Sequence, residues 1–400
     1  MTSFFRCQKC IMPNTKPDLF FDRKGVCDAC RSAEQKSKID WVAREKQLKE
    51  ILTRFRSKDG RNYDCIIPVS GGKDSHFQTY IIKHVYKLNP LLVSFEPTYP
   101  TELGKKNLNN IRNFGVDLIQ IQKNPIVYKK LGKKAFYRIG DHEWPNHVGI
   151  FTVPVQIAVR FNIPLIVWGE NSQVEYGGPS HAKRSWVLDR RWLEEFGGLL
   201  GNRVEDMADE EVSMNDLKLY EYPDEKDLKR VGATGIFLGY FMNWDARAQV
   251  EIMKKYGFSI HEKGPIEGTY TNYENLDCAL VAIHDYLKFV KYGFGRACDH
   301  ACLDIRHGRI TREEGLQLVK RYDGKIPWKA LSLFLEHFEM SKKEFFSVCD
   351  SFTNKVLFAT GKDGRFIHDK QNNLILKEFP TYDHDNRLRN GEPAIGSQGI

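Results

Sequence analysis

The chain has 400 residues, 41% hydrophobic and 28% charged, with a formal net charge of +8. These are the proportions of ordinary globular proteins, and the length suits two domains with a small accessory module. No apolar run reaches the roughly 18 residues that would span a bilayer, and a mild basic excess fits a nucleotide or nucleotide-sugar partner without by itself implying nucleic acid.

Residues 1–32 are punctuated by cysteines and turns. Met1 to Phe20 lacks the continuous apolar core of a signal peptide, so the segment reads as mature protein and a cytoplasmic location is expected. Cys7-x2-Cys10 and Cys27-x2-Cys30 each form a tight knuckle that presents two thiolates to one ion. Four thiolates satisfy tetrahedral Zn²⁺ and leave no open position, which makes the expected site structural. An iron–sulfur cluster is the alternative occupant. The total of nine cysteines is odd and argues against a disulfide framework.

A charged amphipathic helix is expected over 33–57. Beyond it, strands over 65–69, 91–95, 118–121 and 165–168 alternate with helices over 77–88, 102–114 and 151–161. Such alternation predicts an α/β fold, a parallel Rossmann-like sheet with helices on both faces. Residues 172–225 are polar and weakly periodic, and read as a lid-like insertion. Helical patterns over 276–292, 311–322 and 327–349 follow, and 383–399 reads as a tail. The expected division is a four-cysteine zinc module over 1–35, a nucleotide domain over 36–260 and a mainly helical region over 261–400.

The loop Ser70-Gly71-Gly72-Lys73-Asp74-Ser75 lies between the first strand and its helix. Glycines there let backbone N–H groups approach phosphates, and the helix dipole favours the anion. Lys73 supplies a point charge, Ser70 and Ser75 supply hydroxyls, and Asp74 caps the helix or binds Mg²⁺. The Walker spacing is absent. The loop resembles the S-G-G-x-D-S signature of the PP-loop ATP pyrophosphatases, which implies ATP cleavage to AMP and pyrophosphate. By the same resemblance, Ser94 and Glu96 would lie near the adenine. Glu170 would bind Mg²⁺ and Asn171 a substrate amide, both at the end of the fourth strand.

The four-cysteine knob with Met12-Pro13, the long helix, the S-G-G-K-D-S loop and Trp168-Gly169-Glu170-Asn171 together resemble the N-acetyl sugar amidotransferase family. That resemblance implies conversion of the acetamido group of a nucleotide-activated sugar to an acetamidino group, for a surface polysaccharide such as O-antigen. It implies ATP, Mg²⁺ and Zn²⁺, with Lys73, Asp74, Glu170 and Asn171 in catalysis. No N-terminal-nucleophile glutaminase is expected, because position 2 is Thr2, and no residues are spare for another glutaminase domain. Ammonia is therefore expected from a separate glutaminase resembling that of imidazole glycerol phosphate synthase, with its cyclase-like companion.

Residues 181–192 interleave Lys183, Arg184, Arg190 and Arg191 with Trp186 and Trp192, a pattern that suits a lid over a nucleotide-sugar as well as a solvated surface helix. Over 295–309, helical geometry puts Cys298 and Cys302 on one face and His300, Asp304 and His307 on another, so a metal site is not expected. Trp144, between His142 and His147, reads as packing. A tRNA-thiolation enzyme is the nearest rival reading, but no cysteine occurs between Cys65 and Cys278 to carry sulfur. A non-catalytic ATP-binding scaffold is the other.

Overall fold

A computed structural model describes residues 4–179, 186–188, 199 and 201–377. The helix expected over 33–57 is two helices, α1 (Asp28–Lys36) and α2 (Trp41–Phe55). The break is local chemistry. The Asp40 carboxylate accepts from Ala43 N at 3.0 Å and caps α2, one of the orphan N–H groups that any helix start leaves.

Among the described residues six strands follow, β1 (Cys65–Pro68), β2 (Pro90–Phe95), β3 (Asp117–Ile121), β4 (Leu165–Trp168), β5 (Val187–Leu188) and β6 (Thr234–Phe237). Their order is β3-β2-β1-β4-β6-β5, and every pairing is parallel except β5 with β6. The chain winds outward from β1 through β2 to β3, then returns to lay β4 on the other side of β1. The expected parallel sheet is therefore present, with two strands beyond those expected. The reversal opens a crevice beyond the carboxyl ends of β1 and β4, where ligands of such sheets sit.

Helices cover both faces. On one side α5 (Pro125–Ile139) and α6 (Trp144–Phe161) bury Leu131, Ala135 and Val148 against Ile66, Leu91, Val93 and Ile166. On the other, α2 joins α3 (Lys73–Tyr80), α4 (Glu102–Arg112) and α9 (Ala246–Lys254). There Ile51, Ile111 and Met253 meet Ile67, Leu92 and Val167. Burial on both faces is why these strands read as unbroken apolar runs rather than as alternation. Short helices α7 (Ser172–Glu175) and α8 (Glu225–Val231) flank β5 and β6. Part of the stretch expected as a lid is core instead: Met207, Val212, Leu217 and Tyr220 are buried under the α6 side of the sheet.

The C-terminal region is mainly helical, as expected, with α10 (Val281–Tyr292), α11 (Arg296–Arg306), α12 (Arg312–Tyr322), α13 (Trp328–Phe338) and α14 (Lys342–Phe352). The pattern read over 327–349 is two helices, broken where Glu339 takes a left-handed conformation. Two cores hold this region. One joins α10, α13 and α14 to Phe136 of α5. The other joins α11 and α12 to the cysteine module. No helix among the described residues is long and apolar enough to cross a membrane.

Candidate functional site

The loop after β1 is built tightly against α4. Gly71 has φ +93°, and a Cβ there would stand 2.9 Å from Leu108 N and 3.0 Å from Gly104 O. Only glycine meets both demands. Ser75 Oγ accepts from Ser70 N at 3.0 Å, and Ser70 Oγ from Gly72 N at 3.4 Å. Both hydroxyls thus shape the loop through their oxygens and keep a hydrogen to donate. The first turn of α3 points its free N–H groups at the same space.

His76 is a brace that the sequence reading missed. It is fully buried, with Nδ1 3.0 Å from Gly72 O and Nε2 3.2 Å from Asn110 Nδ2. A neutral ring that donates to the carbonyl and accepts from the amide satisfies both contacts. Burial pushes its pKa down to about 4, in keeping with that form.

Lys73 is buried, and its ammonium lies 2.6 Å from Asp74 Oδ2 and 2.7 Å from Glu274 Oε1. Burial pulls its pKa down, but Asp74, Glu274 and Glu170 together raise it above the ordinary lysine value. The carboxylates feel the crowding in turn. Burial raises Asp74 against the pull of Lys73. Burial first and Asp74 next push Glu170 up to about 8. Asp74 Oδ1 is buried with no hydrogen-bond partner among the described residues. One cation among three acids, with an unpaired carboxylate oxygen, is a site short of positive charge. That is a donor set for a hard oxygen-loving cation such as Mg²⁺.

The structure therefore brings Ser70, Gly71, Gly72, Lys73, Asp74, Ser75 and Glu170 together. Asn171 follows at the same edge, but its side chain caps α7 by accepting from Gln173 N at 3.0 Å. Ser94 is buried at the end of β2 with its Oγ unpartnered among the described residues. The Glu96 carboxylate accepts from Gln122 Nε2 at 3.3 Å, and its backbone oxygen accepts from Lys123 Nζ at 2.6 Å. Trp186 lies on the outer edge, its ring 5.9 Å from Phe241. Lys183, Arg184, Arg190, Arg191 and Trp192 lie outside the described residues. Glu274 was missed altogether: it comes from the loop before α10, and no local pattern announces it.

Beside the strand ends lies a cavity of about 530 Å³ between α1, α2 and the turns after β4 and β6. Arg31, Lys36, Trp41, Arg44 and Tyr240 line it, together with Asn171. The Arg44 guanidinium carbon is 3.4 Å from the Tyr240 ring centroid, and Arg44 Nη1 is buried without a partner among the described residues. Lys36 pairs with Glu175 at 2.5 Å. A buried guanidinium nitrogen left open over an aromatic face suits an anionic ligand that also carries a planar ring.

The four N-terminal cysteines are buried and converge. Cys7 and Cys30 have their sulfurs 3.9 Å apart, and Cys10 and Cys27 3.7 Å. Sulfurs that share one tetrahedral Zn²⁺ at about 2.3 Å stand about 3.8 Å apart. The cluster is thus able to hold a metal ion such as zinc. Backbone N–H groups support the sulfurs, Cys27 N to Cys7 Sγ at 3.2 Å and Met12 N to Cys10 Sγ at 3.5 Å. Arg306, on α11, has its pKa raised: burial opposes, but Cys10, Cys302, Cys30 and Cys27 outweigh it. Four thiolates on a divalent ion leave two negative charges, and Arg306 is the neighbouring cation.

Cys298 and Cys302 pack in the core beneath this module, as the structural reading of 295–309 expects. The opposite face does more than that reading allowed. His300 and Asp304 line a narrow crevice with Glu170 and Glu274. The α11 helix thus touches the cysteine module with one face and the loop region with the other.

Two comparisons bear on this arrangement. Residues 267–370 match the family model described as the C-terminal domain of WbpG-like LPS biosynthesis proteins. The match begins just before Glu274 and includes α10 to α14. A stretch of 121 residues, 30% of this chain, is 31% identical to "Uncharacterized protein MJ1599" of Methanocaldococcus jannaschii. The similarity spans 43% of that relative's length.

Proposed function

We propose that this chain is an ATP-dependent amidotransferase of polysaccharide biosynthesis, acting on the N-acetyl group of a nucleotide-activated sugar. The observation that carries the reading is Lys73, buried in a Gly-rich loop at the sheet's switch point among Asp74, Glu170 and Glu274. The WbpG-like match supports the pathway class.

An amide carbon is a poor electrophile. In the proposed reaction the amide oxygen attacks the α-phosphorus of ATP and pyrophosphate leaves. Ammonia then adds to the carbon, AMP departs with the former amide oxygen, and loss of a proton leaves the amidine. The loop N–H groups and Lys73 stabilise the departing pyrophosphate, and this preorganised charge is the main catalytic contribution of the protein. Asp74 and Glu170 would hold Mg²⁺, which supplies charge neutralisation on the phosphates. Unpartnered Ser94 Oγ is a polar contact for the nucleotide. The cavity with Arg44 and Tyr240 takes the sugar nucleotide. The cysteine module holds structural Zn²⁺. The division into a module over 1–35, an ATP domain over 36–260 and a helical region over 261–400 belongs to the same proposal, as do a cytoplasmic setting and a separate glutaminase as the ammonia source.

Pyrophosphate release from ATP, Mg²⁺ and ammonium, measured across acceptors, tests the reading. Release that needs an N-acetylated sugar nucleotide supports it. Release that needs tRNA moves the chain to the thiolation enzymes, and no release with any acceptor leaves an ATP-binding scaffold.

A further inference from the structure

A second cluster of ligating side chains lies away from the cysteines, and we propose that it is a metal site. Asp141, His147 and His284 bring one carboxylate and two imidazoles together, with their ligating atoms all within 4.8 Å of one another. Three separate elements supply them. Asp141 sits in the link between α5 and α6, His147 lies in the first turns of α6, and His284 in the first turn of α10. The site thus joins the sheet domain to the helical region.

The geometry suits an ion. His284 Nδ1 lies 3.0 Å from Asp141 Oδ1 and 2.9 Å from Oδ2. With a proton between them, that contact is a hydrogen bond. It is also near the separation of about 3.3 Å at which two ligands meet on one ion roughly 2.0–2.1 Å from each. The rings of His147 and His284 stand edge to face, with centroids 4.9 Å apart. The His147 side chain has no hydrogen-bond partner among the described residues. The half-buried His147 ring is thus committed to no other hydrogen bond and stays accessible to an ion.

Asp141 is only 3% exposed, while the His284 side chain keeps 20%, so the cluster is walled on one side and open on the other. Two histidines and one carboxylate select a divalent transition ion of the zinc, iron or manganese kind rather than Mg²⁺ or Ca²⁺. Three protein ligands leave a coordination position for water or a substrate atom, the pattern of reactive rather than structural ions.

The site also lies at the working edge of the sheet. Asn146, the neighbour of His147, takes Lys123 Nζ at 3.3 Å, and the same ammonium binds Glu96 O just beyond β2. Gly149 leaves room for Phe95, the last residue of that strand. This proposal concerns metal binding alone and stands whatever reaction the phosphate loop performs.

The test keeps zinc on the cysteines and dialyses the full chain against Co²⁺, then counts bound cobalt and records its spectrum. Wild type should bind one further ion per chain, with d–d bands of a nitrogen–oxygen set and no thiolate charge-transfer band. His147→Ala, which leaves the Asp141–His284 contact in place, should weaken that binding by at least the ~10–100-fold seen when even an outer-shell partner is lost. His284→Ala and Asp141→Asn should do the same, with circular dichroism confirming the fold. No added cobalt in wild type, or equal cobalt in His147→Ala, overturns the proposal.

Discussion

Lys73 and Glu274 meet at 2.7 Å, the first from the loop after β1 and the second from the region that matches the WbpG-like C-terminal domain. The contact fastens the Gly-rich loop of the sheet to the helical C-terminal region. The Lys73 side chain is 7% exposed and that of Glu274 22%, so the pair is largely withdrawn from water.

Removing Glu274 should therefore cost stability as well as activity. Lys73 keeps Asp74, so the loss is that of one charge-assisted hydrogen bond, about 1–3 kcal/mol. Glu274→Ala should lower the thermal midpoint, and Glu274→Gln should lower it less. Calorimetry that finds Glu274→Ala unchanged would mean the contact is incidental.

Lys73→Ala and Asp74→Ala should lose nearly all pyrophosphate release, at least ~100-fold, because in the proposed reaction both act on charge in the transition state. Zinc content and far-ultraviolet circular dichroism should stay as in wild type, since neither residue touches the cysteine module. Turnover near wild type in either variant speaks against the assigned loop.

The raised pKa of Glu170 predicts a pH signature. Its folded value is about 8 against 4.5 for the free side chain. A carboxyl raised on folding contributes stability that is full below pH 4.5 and is lost as pH rises through 8. Glu170→Gln removes that dependence. The variant should gain a few degrees of thermal midpoint on wild type at pH 8–9 and little at pH 5. Parallel pH profiles for the two proteins would show that Glu170 is not held up by burial and the neighbouring acids. Added Mg²⁺ should flatten the wild-type profile, by favouring the ionised carboxylate.

Cys27→Ser should abolish metal binding at the cysteine cluster and loosen more than the first 35 residues. Cys298 and Cys302 of α11 share a core with the module, and Arg312 Nε reaches Cys7 O at 3.4 Å and Cys10 O at 3.2 Å. Hydrogen exchange should therefore rise in α11 as well as in the module. Structural zinc contributes of order 10 kcal/mol in small modules, so the effect should be large. Exchange confined to the first 35 residues would show that the module is an independent appendage.

Much of the scaffold was legible because buried parallel strands are apolar runs with sharp ends. Cys65–Pro68, Pro90–Phe95, Asp117–Ile121 and Leu165–Trp168 fall where they were expected. The strand Thr234–Phe237 was not read, since its four residues follow a long polar stretch and carry no alternation. Helix α5 was not read either: Lys129, Lys130, Lys133 and Lys134 mask its apolar stripe of Val127, Leu131 and Ala135. The Gly-rich loop after β1 and the cysteine knuckles were visible because such motifs keep fixed local spacing. Glu274, His76 and the Asp141–His147–His284 cluster were not, because tertiary packing alone brings them to their partners. Asn171 and Glu96 were read from position on the strand ends. Position does not reveal that one caps a helix and the other turns to Gln122.

The most direct measurement follows the acetamido oxygen. An N-acetylated sugar nucleotide labelled with ¹⁸O in the acetyl group, incubated with the protein, ATP, Mg²⁺ and ammonium, should give AMP carrying the label and unlabelled pyrophosphate. Label in inorganic phosphate with ADP as the other product, or AMP without label, would contradict the account.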